Sequence, residues 1–456
     1  MENFWDSNVW SFFVLIAVLL SGLMLANMLK RSFPILEKSL IPTSVLGGGI
    51  ILLVASVYKV ITGTNMFDTY AFDGQGSALL EMITYHCLAL GFIASGLKNS
   101  STQFTKQRNV EILNTGVTTV GTYLLQAFVG LVICIVASFF LEDFLAASGI
   151  LLALGFGQGT GQAMNYGSIY EGYGLVGGKS FGLTIAALGF LCASFGGVIY
   201  LNILKRQGKI TLDKGTGVNT EEVEGENEVP MQENMDKMTI QIALVILSYT
   251  FAYILMRTLG DLVPGLKSVI YGFNFLLGVI SASVFKTVLN ALQKRNIIHR
   301  HYTNNFLLTR LSNFFFDIMV TAGIAAIRLD LVEKYWGVIL VLGVAGLVVT
   351  YIYINFVCKK LFPHYADQQF LAMFGMLTGT ASTGVILLRE IDGDFKTPVA
   401  DNLVYQNFPA MVLGFPILLL ATMAPTQPYL TLLIVAAFAV VINLFLFRSL
   451  IFKKKK

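Results

Sequence analysis

Two short glycine-threonine stretches decide the fold of this chain: GFGQGTGQ at 155–162 and GMLTGTAS at 375–382. Both fit the pattern Gly-x-x-x-Gly-Thr, and each follows a long apolar segment. Glycine and hydroxyl residues inside an apolar segment indicate backbone that leaves the helix at membrane depth. Such backbone persists only where it is buried in protein or lines a cavity. Helix breaks at corresponding places in two halves of a chain are typical of a transporter's binding site.

The composition is that of a membrane protein. Of 456 residues, 55% are hydrophobic and only 13% are charged, whereas charged residues make up about a quarter of a soluble domain. The net charge of +4 is small, and the basic residues lie in short loops between apolar segments. That placement indicates membrane topology rather than binding to nucleic acid.

Eleven apolar segments are long enough to cross the bilayer as helices. The predicted spans lie near 9–29, 41–61, 77–97, 113–140, 180–203, 238–258, 266–289, 305–327, 335–358, 402–423 and 428–450. The two glycine segments, near 146–170 and 367–389, are left over and are predicted to be re-entrant hairpins. The sequence therefore predicts an all-α polytopic membrane protein.

The spans divide into two halves around one charged linker. We expect a first repeat at 1–203, a cytoplasmic linker at 204–237 without a fold of its own, and a second repeat at 238–456 with an extra final span. Lysine and arginine counts place the N-terminus outside, and the linker and the C-terminus in the cytoplasm. An odd number of spans before the linker makes the two repeats inverted.

Three motifs resemble those of the bacterial sodium/glutamate symporter family: IPTSVLGGG at 41–49, GFGQGTGQAMNYGSIYEGYG at 155–174 and GMLTGTASTG at 375–384. The resemblance covers nearly the whole chain except the final span. It implies a homodimer in the inner cell membrane, inverted five-span repeats, and two re-entrant hairpins that meet near the substrate. It also implies sodium-driven uptake by an elevator-like movement.

The chain departs from that family's pattern at three places in the hairpins. Close members have a histidine at the position of Gln158 and an asparagine at the position of Leu387. They have Ala-Thr-Pro-Thr where this chain has Thr-Ala-Ser-Thr at 380–383. These differences bear on the identity of the substrate more than on the class of protein.

The hairpins contain most of the predicted site. A broken helix exposes amide N–H groups at one half-helix end, which attract a carboxylate, and carbonyls at the other, which attract sodium. The predicted substrate-binding residues are Gly157, Gln158, Gly159, Thr160, Gln162, Asn165, Thr378, Gly379, Thr380, Ser382 and Thr383. Thr160 and Thr380 are also predicted sodium ligands. The alternative is that small residues merely allow close helix packing; two related motifs in inverted positions favour binding.

The eighth span contains an unusual polar stripe, Arg310, Asn313, Asp317 and Thr321. Charges near the bilayer centre are costly and usually mark a pathway. Arg310 is predicted to hold a substrate carboxylate, and Asp317 to bind substrate or, with Asn313, sodium. Two structural alternatives remain open: Arg310 and Asp317 stabilise each other, or Arg310 extends to the cytoplasmic surface.

These patterns predict a secondary active transporter for sodium-coupled uptake of a small carboxylate, such as the amino acid glutamate. A 2-hydroxycarboxylate or dicarboxylate, coupled to sodium or protons, is the alternative. A channel would instead pair pore-lining rings from symmetric subunits. An enzyme in the membrane would cluster acids or histidines, whereas Glu81, His86 and Asp317 are scattered. We expect neither enzymatic activity nor a cofactor, and no metal beyond sodium.

Overall fold

The computed structural model describes residues 3–98, 105–209, 228–229, 235–264, 267–392 and 396–451. Within these ranges the fold is helical, and the only β pairing is an isolated bridge between Glu228 and His301. The α-helices, in chain order, are α1 Ser7–Ser32, α2 Pro34–Lys38, α3 Thr43–Thr62, α4 Gly76–Leu97, α5 Lys106–Ala137, α6 Leu151–Gln158, α7 Thr160–Glu171, α8 Gly178–Arg206, α9 Lys237–Leu262, α10 Lys267–Gly272, α11 Asn274–Lys294, α12 Asn305–Ala325, α13 Leu329–Val332, α14 Trp336–Leu361, α15 Ala366–Thr378, α16 Ala381–Arg389, α17 Val399–Tyr405, α18 Asn407–Met423, α19 Pro428–Leu446 and α20 Arg448–Ile451.

The number and order of long apolar helices agree with the prediction. In the described part, ten helices are long and apolar enough to cross a membrane, and the bent pair α17–α18 brings the number to eleven. Each predicted span overlaps one of them, so the prediction of an all-α polytopic membrane protein is confirmed. The predicted span at 402–423 corresponds to two helices, because α17 and α18 meet at Gln406 with a bend of 47°.

Polar residues at helix ends explain where several spans begin. The Asp236 side chain accepts hydrogen bonds from the first-turn amides of α9. The Asn304 side chain accepts one from the amide of Leu307 at the start of α12. These amides have no partner inside their helices, and a capping side chain of this kind stabilises a helix by about 1 kcal/mol. At the other end of α3, Gly63 takes the left-handed conformation that ends many helices.

The long helices pack in two groups. In the first, α12 lies between α3 and α4, with α1, α9 and α11 outside them. Glycine permits the close approach: Gly48 of α3 lies against Ile324 of α12, and Gly91 of α4 lies against the Phe316 ring. In the second group, α6, α14, α18 and α19 pack on α5, while α6, α7, α14 and α15 pack on α8.

Loops that the charge pattern assigns to one side of the membrane lie at the same end of the bundle. At one end the Ser7 hydroxyl donates to the Asp73 carboxylate over 2.8 Å. At the other end the Arg108 guanidinium lies 3.5 Å from the Asp401 carboxylate. Which end faces the cytoplasm stays a prediction, as does the inverted repeat. Residues 210–227 and 230–234 of the linker, and the lysines at 453–456, lie outside the described residues.

Candidate functional site

The first glycine motif forms a hairpin of α6 and α7 with its tip at Gly159. That residue has φ +81°, a conformation that glycine adopts without strain. From the tip, α7 returns along α8, and Gly167 packs on Gly178. The rings of Phe144, before α6, and Phe181, at the start of α8, are 6.1 Å apart. The chain therefore enters and leaves this hairpin at the same end of the bundle.

The second glycine motif forms another hairpin, of α15 and α16. Its arms pack closely, since a Cβ on Gly384 would meet the backbone of Ala372. The helix breaks at Gly379. This hairpin lies along the later half of α8, where Gly196 packs on the Phe374 ring. The two hairpins thus approach from opposite ends of α8.

The two tips meet beside the middle of α8. A Cβ built on Gly159 would lie 3.9 Å from Thr380 Cγ2 and 4.0 Å from the Gly379 carbonyl oxygen. The carbonyl of Thr378 packs on Gly189 of α8. The predicted meeting of the two glycine motifs, which are far apart in the sequence, is confirmed by these contacts. Their role in binding stays a prediction.

Four buried polar atoms at the start of α7 have no hydrogen-bond partner in the described structure. They are Thr160 Oγ1, both side-chain polar atoms of Gln162, and Asn165 Nδ2. The three residues are 0%, 1% and 7% exposed, respectively. Buried polar groups are nearly always paired, and leaving one unpaired costs about 1–3 kcal/mol. Four such atoms within two helical turns indicate groups that are available to a ligand.

The two unpaired amide side chains of α7 lie on one part of its surface, whereas Thr160 faces α12. Gly161 packs on Leu88 of α4, and the Tyr166 hydroxyl donates to the Leu418 carbonyl of α18 over 2.9 Å. At roughly 100° per residue, these two faces are about 140° apart around α7. The two amide side chains, of Gln162 and Asn165, fall between them. They therefore point toward the junction of α4 and α18.

Backbone electrostatics at the tips favour an anion. Both α7 and α16 begin there, so two helix N-termini with partial positive charge lie side by side. The cap of α7 is Gly159, which has no side chain to accept the first-turn amide hydrogens. At α16 the Thr380 hydroxyl accepts from the amide of Thr383 over 3.4 Å. The first turn of α7 is thus the better placed of the two to bind a carboxylate.

The remaining predicted hairpin residues differ in their surroundings. Gln158 and Thr380 are half-buried, whereas Gly157, Thr378 and Thr383 are fully buried. The Thr378 hydroxyl donates to the Phe374 carbonyl over 2.7 Å, within its own helix. The side chain of Ser382 lies outside the described part of the structure.

The polar stripe of α12 lies away from the tips. Thr160 packs on Gly323 of α12. At about 1.5 Å per residue, Asp317, Asn313 and Arg310 lie roughly 9, 15 and 20 Å back along the helix axis. All three are exposed in the single chain. The structure does not bring them to the hairpin tips, and their predicted binding roles remain untested.

The neighbours of Arg310 and Asp317 indicate local structural roles. The Arg310 guanidinium lies 5.0 Å from the ring centre of Phe306, toward the start of α12. The Asp317 carboxylate is hydrogen-bonded by Ser44 in the first turn of α3, where a negative charge stabilises the helix. No ion pair joins the two charged residues, both of which the structure describes, so the alternative of a mutual pair is not supported.

Several buried amides that sequence reasoning missed lie between α5 and the second hairpin. Gln126 of α5 donates to the Leu377 carbonyl over 2.9 Å. Farther from the tips, Gln369 of α15 donates to Thr115 of α5 over 3.3 Å. Their signal was a polar amide inside an apolar helix, which is costly in a membrane unless it is paired. The other amides of this set are Asn402, which donates to Gln369, and Gln406, which accepts from the Thr119 hydroxyl.

The two titratable residues considered in the third span both have protein partners. His86 Nδ1 lies 2.7 Å from the Tyr249 hydroxyl. Glu81 pairs with Lys179 over 2.8 Å. The described residues include no cluster of three or more His, Cys, Asp or Glu side chains that could hold a metal ion.

The chain matches no protein family model and no curated protein. The resemblance to the sodium/glutamate symporters therefore rests on the three sequence motifs and the order of spans between them.

Proposed function

We propose that this protein is a secondary active transporter that takes up a small carboxylate together with sodium. The observation that supports this most directly is the group of unpaired buried polar atoms in the first two turns of α7, which begins at the contact of the two hairpin tips. Packing alone does not account for them, because polar side chains between packed membrane helices hydrogen-bond to the neighbouring helix, and these atoms have no such partner in the described structure. The architecture of opposed broken helices is also the one that many transporters use.

The substrate class follows from the chemistry of the tips. Two helix N-termini and the free N–H groups of Gln162 and Asn165 suit a carboxylate. The free oxygen of Gln162, on the same side of α7 as Asn165, suits a second group that donates hydrogen bonds, such as an ammonium or a hydroxyl. An amino acid such as glutamate has both kinds of group. A 2-hydroxycarboxylate also has both, and it is the second candidate.

The coupling ion and the working unit are proposed from the family resemblance. Carbonyls at the ends of α6 and α15 are neutral oxygen ligands of the kind that sodium accepts in transporters. In this proposal the protein works as a homodimer in the inner cell membrane, and the hairpins cross the bilayer by an elevator-like movement. It acts without an organic cofactor.

A thermal-shift screen of the purified protein tests the proposal. L-glutamate, other amino acids, 2-hydroxycarboxylates and dicarboxylates are each added with NaCl or with KCl. A ligand that binds the folded state raises its apparent stability, by about 2.7 kcal/mol at one hundred times Kd. We expect acid and sodium together to stabilise more than the sum of their separate effects. Additive shifts would argue against sodium coupling, and a dependence on pH without sodium would indicate protons.

Counterflow in proteoliposomes then tests transport itself. Vesicles loaded with the unlabelled acid that binds best should accumulate the labelled acid transiently, which a channel or an enzyme does not do. Binding without counterflow would remove the transporter proposal and leave a binding protein.

A further inference from the structure

Each break in a hairpin helix leaves carbonyls without an intrahelical hydrogen-bond partner. At the end of α6 the Gly157 carbonyl accepts from the Tyr123 hydroxyl over 3.0 Å. At the end of α15 the Leu377 carbonyl accepts from Gln126 Nε2 over 2.9 Å. Both donors belong to α5 and lie three residues apart, so they share one helix face. One face of α5 therefore holds an end of each hairpin.

The orientation of the Gln126 amide is determined by its partners. A carbonyl only accepts hydrogen bonds, so the NH₂ group must face Leu377. The same nitrogen is 2.8 Å from Thr350 Oγ1 of α14. The amide oxygen then lies on the other side, 3.3 Å from where a Cβ on Gly157 would be. It has no hydrogen-bond partner in the described structure.

The fit around α6 is equally close. A Cβ on Gly157 would collide with the Tyr123 ring, so only glycine lets α6 approach α5 at this point. Gln126 is fully buried, so its bond to Leu377 is made away from water, where losing a partner costs about 1–3 kcal/mol. The Tyr123 bond to Gly157 is partly buried. By contrast, Gly159 and Thr380 meet at the tips only through van der Waals contact. The hydrogen bonds to the ends of α6 and α15 therefore come from α5.

We propose that Tyr123 and Gln126 are positioning residues that hold the two hairpin ends in one register, so that α7 and α16 present their N-termini to the same ligand. This inference rests on the proposed function of the tips. It assigns α5 to the same moving unit as both hairpins, because a hairpin that slid along α5 would break its hydrogen bond.

The variants Tyr123→Phe and Gln126→Met remove one donor each and nearly preserve volume. Thr350→Val is the matched control, because it removes a partner of Gln126 and leaves the bond to Leu377. The probe is L-glutamate in NaCl, with Kd measured on the full-length protein in detergent. We expect Tyr123→Phe and Gln126→Met each to weaken Kd about tenfold, the equivalent of about 1.4 kcal/mol. The control should change Kd less than twofold.

The double variant tests whether the two residues act as one unit. If they do, Tyr123→Phe combined with Gln126→Met weakens Kd about as much as either change alone, since neighbouring groups in one network are not additive. If the effects of the two substitutions on Kd multiply, the residues act independently, and the claim that they hold both hairpin ends together is overturned. If Thr350→Val weakens Kd as much as Gln126→Met does, Gln126 stabilises the fold in general and does not position the hairpin ends.

Hydrogen exchange without ligand separates failure of this inference from failure of the proposed function. If wild-type protein does not bind glutamate, the positioning role of Tyr123 is still tested by the amide exchange rates of peptides covering 151–171 and 366–389. We expect Tyr123→Phe to speed amide exchange in both hairpins, although its own bond is only to the first, while α9 stays unchanged. Faster exchange confined to the first hairpin would overturn the inference.

Discussion

Two buried glutamines of this protein should respond oppositely to the same substitution. Gln162 and Gln126 are 1% and 0% exposed. Neither polar atom of Gln162 has a partner in the described structure, whereas Gln126 donates to Leu377 and Thr350. Methionine matches the length of glutamine without its amide. We therefore expect Gln162→Met to stabilise the ligand-free protein and Gln126→Met to destabilise it.

The magnitudes follow from the hydrogen-bond inventory. Removing two unpaired polar atoms at Gln162 recovers about 2 kcal/mol, at the low end of about 1–3 kcal/mol for each. Removing Gln126 loses two hydrogen bonds and leaves the Leu377 carbonyl buried without a partner, which costs about 3 kcal/mol. It also removes the unpaired Oε1 of Gln126, which recovers about 1 kcal/mol, so the net loss is about 2 kcal/mol. Scaling the usual unfolding entropy to 456 residues gives about 1 kcal/mol per degree. The two variants should then differ in Tm by roughly 4 °C.

The assay is thermal unfolding in detergent, with and without glutamate and sodium. Gln162→Met should unfold about 2 °C above wild type without ligand and should lose the ligand-induced shift. Gln126→Met should unfold below wild type and keep a reduced shift. A lower Tm for Gln162→Met would mean that its amide is paired, and a retained ligand shift would remove it from the site. Either result refutes the reasoning.

The other predictions concern the tips, the topology and α12. Gly159→Val and Gly379→Val should abolish counterflow, because φ at Gly159 is +81° and a Cβ on Gly379 would lie 3.0 Å from the Gly375 carbonyl oxygen. Membrane expression near wild type would place the effect at the tips, and lost expression would favour packing. Single cysteines at Ser7 and Phe452 should react with an impermeant reagent from opposite sides of the membrane, and labelling from the same side would remove either the final span or a re-entrant hairpin. Asp317→Asn should raise the sodium concentration for half-maximal glutamate stabilisation at least about tenfold if the carboxylate binds sodium; an unchanged midpoint would leave it the role of stabilising α3 through Ser44.

The spans and the places of the helix breaks could be predicted from the sequence because they depend on local properties. A run of about 20 apolar residues spans a bilayer whatever its neighbours are. The glycines at 159 and 379 interrupt such runs and mark the tips of both hairpins. The meeting of the two tips was implied by the resemblance to the sodium/glutamate symporters.

The bend at Gln406 and the position of Arg310 were not predictable in this way. Gln406 lies within a segment that is apolar enough throughout to be one span. Arg310 lies on the same predicted stripe as Asp317, but sequence spacing says nothing about how far along α12 the tips make contact. That position is decided by Gly323 packing on Thr160, a contact between distant parts of the chain.

By itself, the sequence determined an all-α membrane protein with eleven apolar spans and two broken helices, because length, hydropathy and glycine content are properties of a single segment. Only the tertiary structure decided which buried polar groups are paired. Gln126 reaches Leu377 across 251 positions of the chain, while Gln162, equally polar and equally buried, reaches nothing in the described structure. Hydrogen bonds require a partner within about 3 Å at the correct angle, and that proximity is set by how distant helices pack.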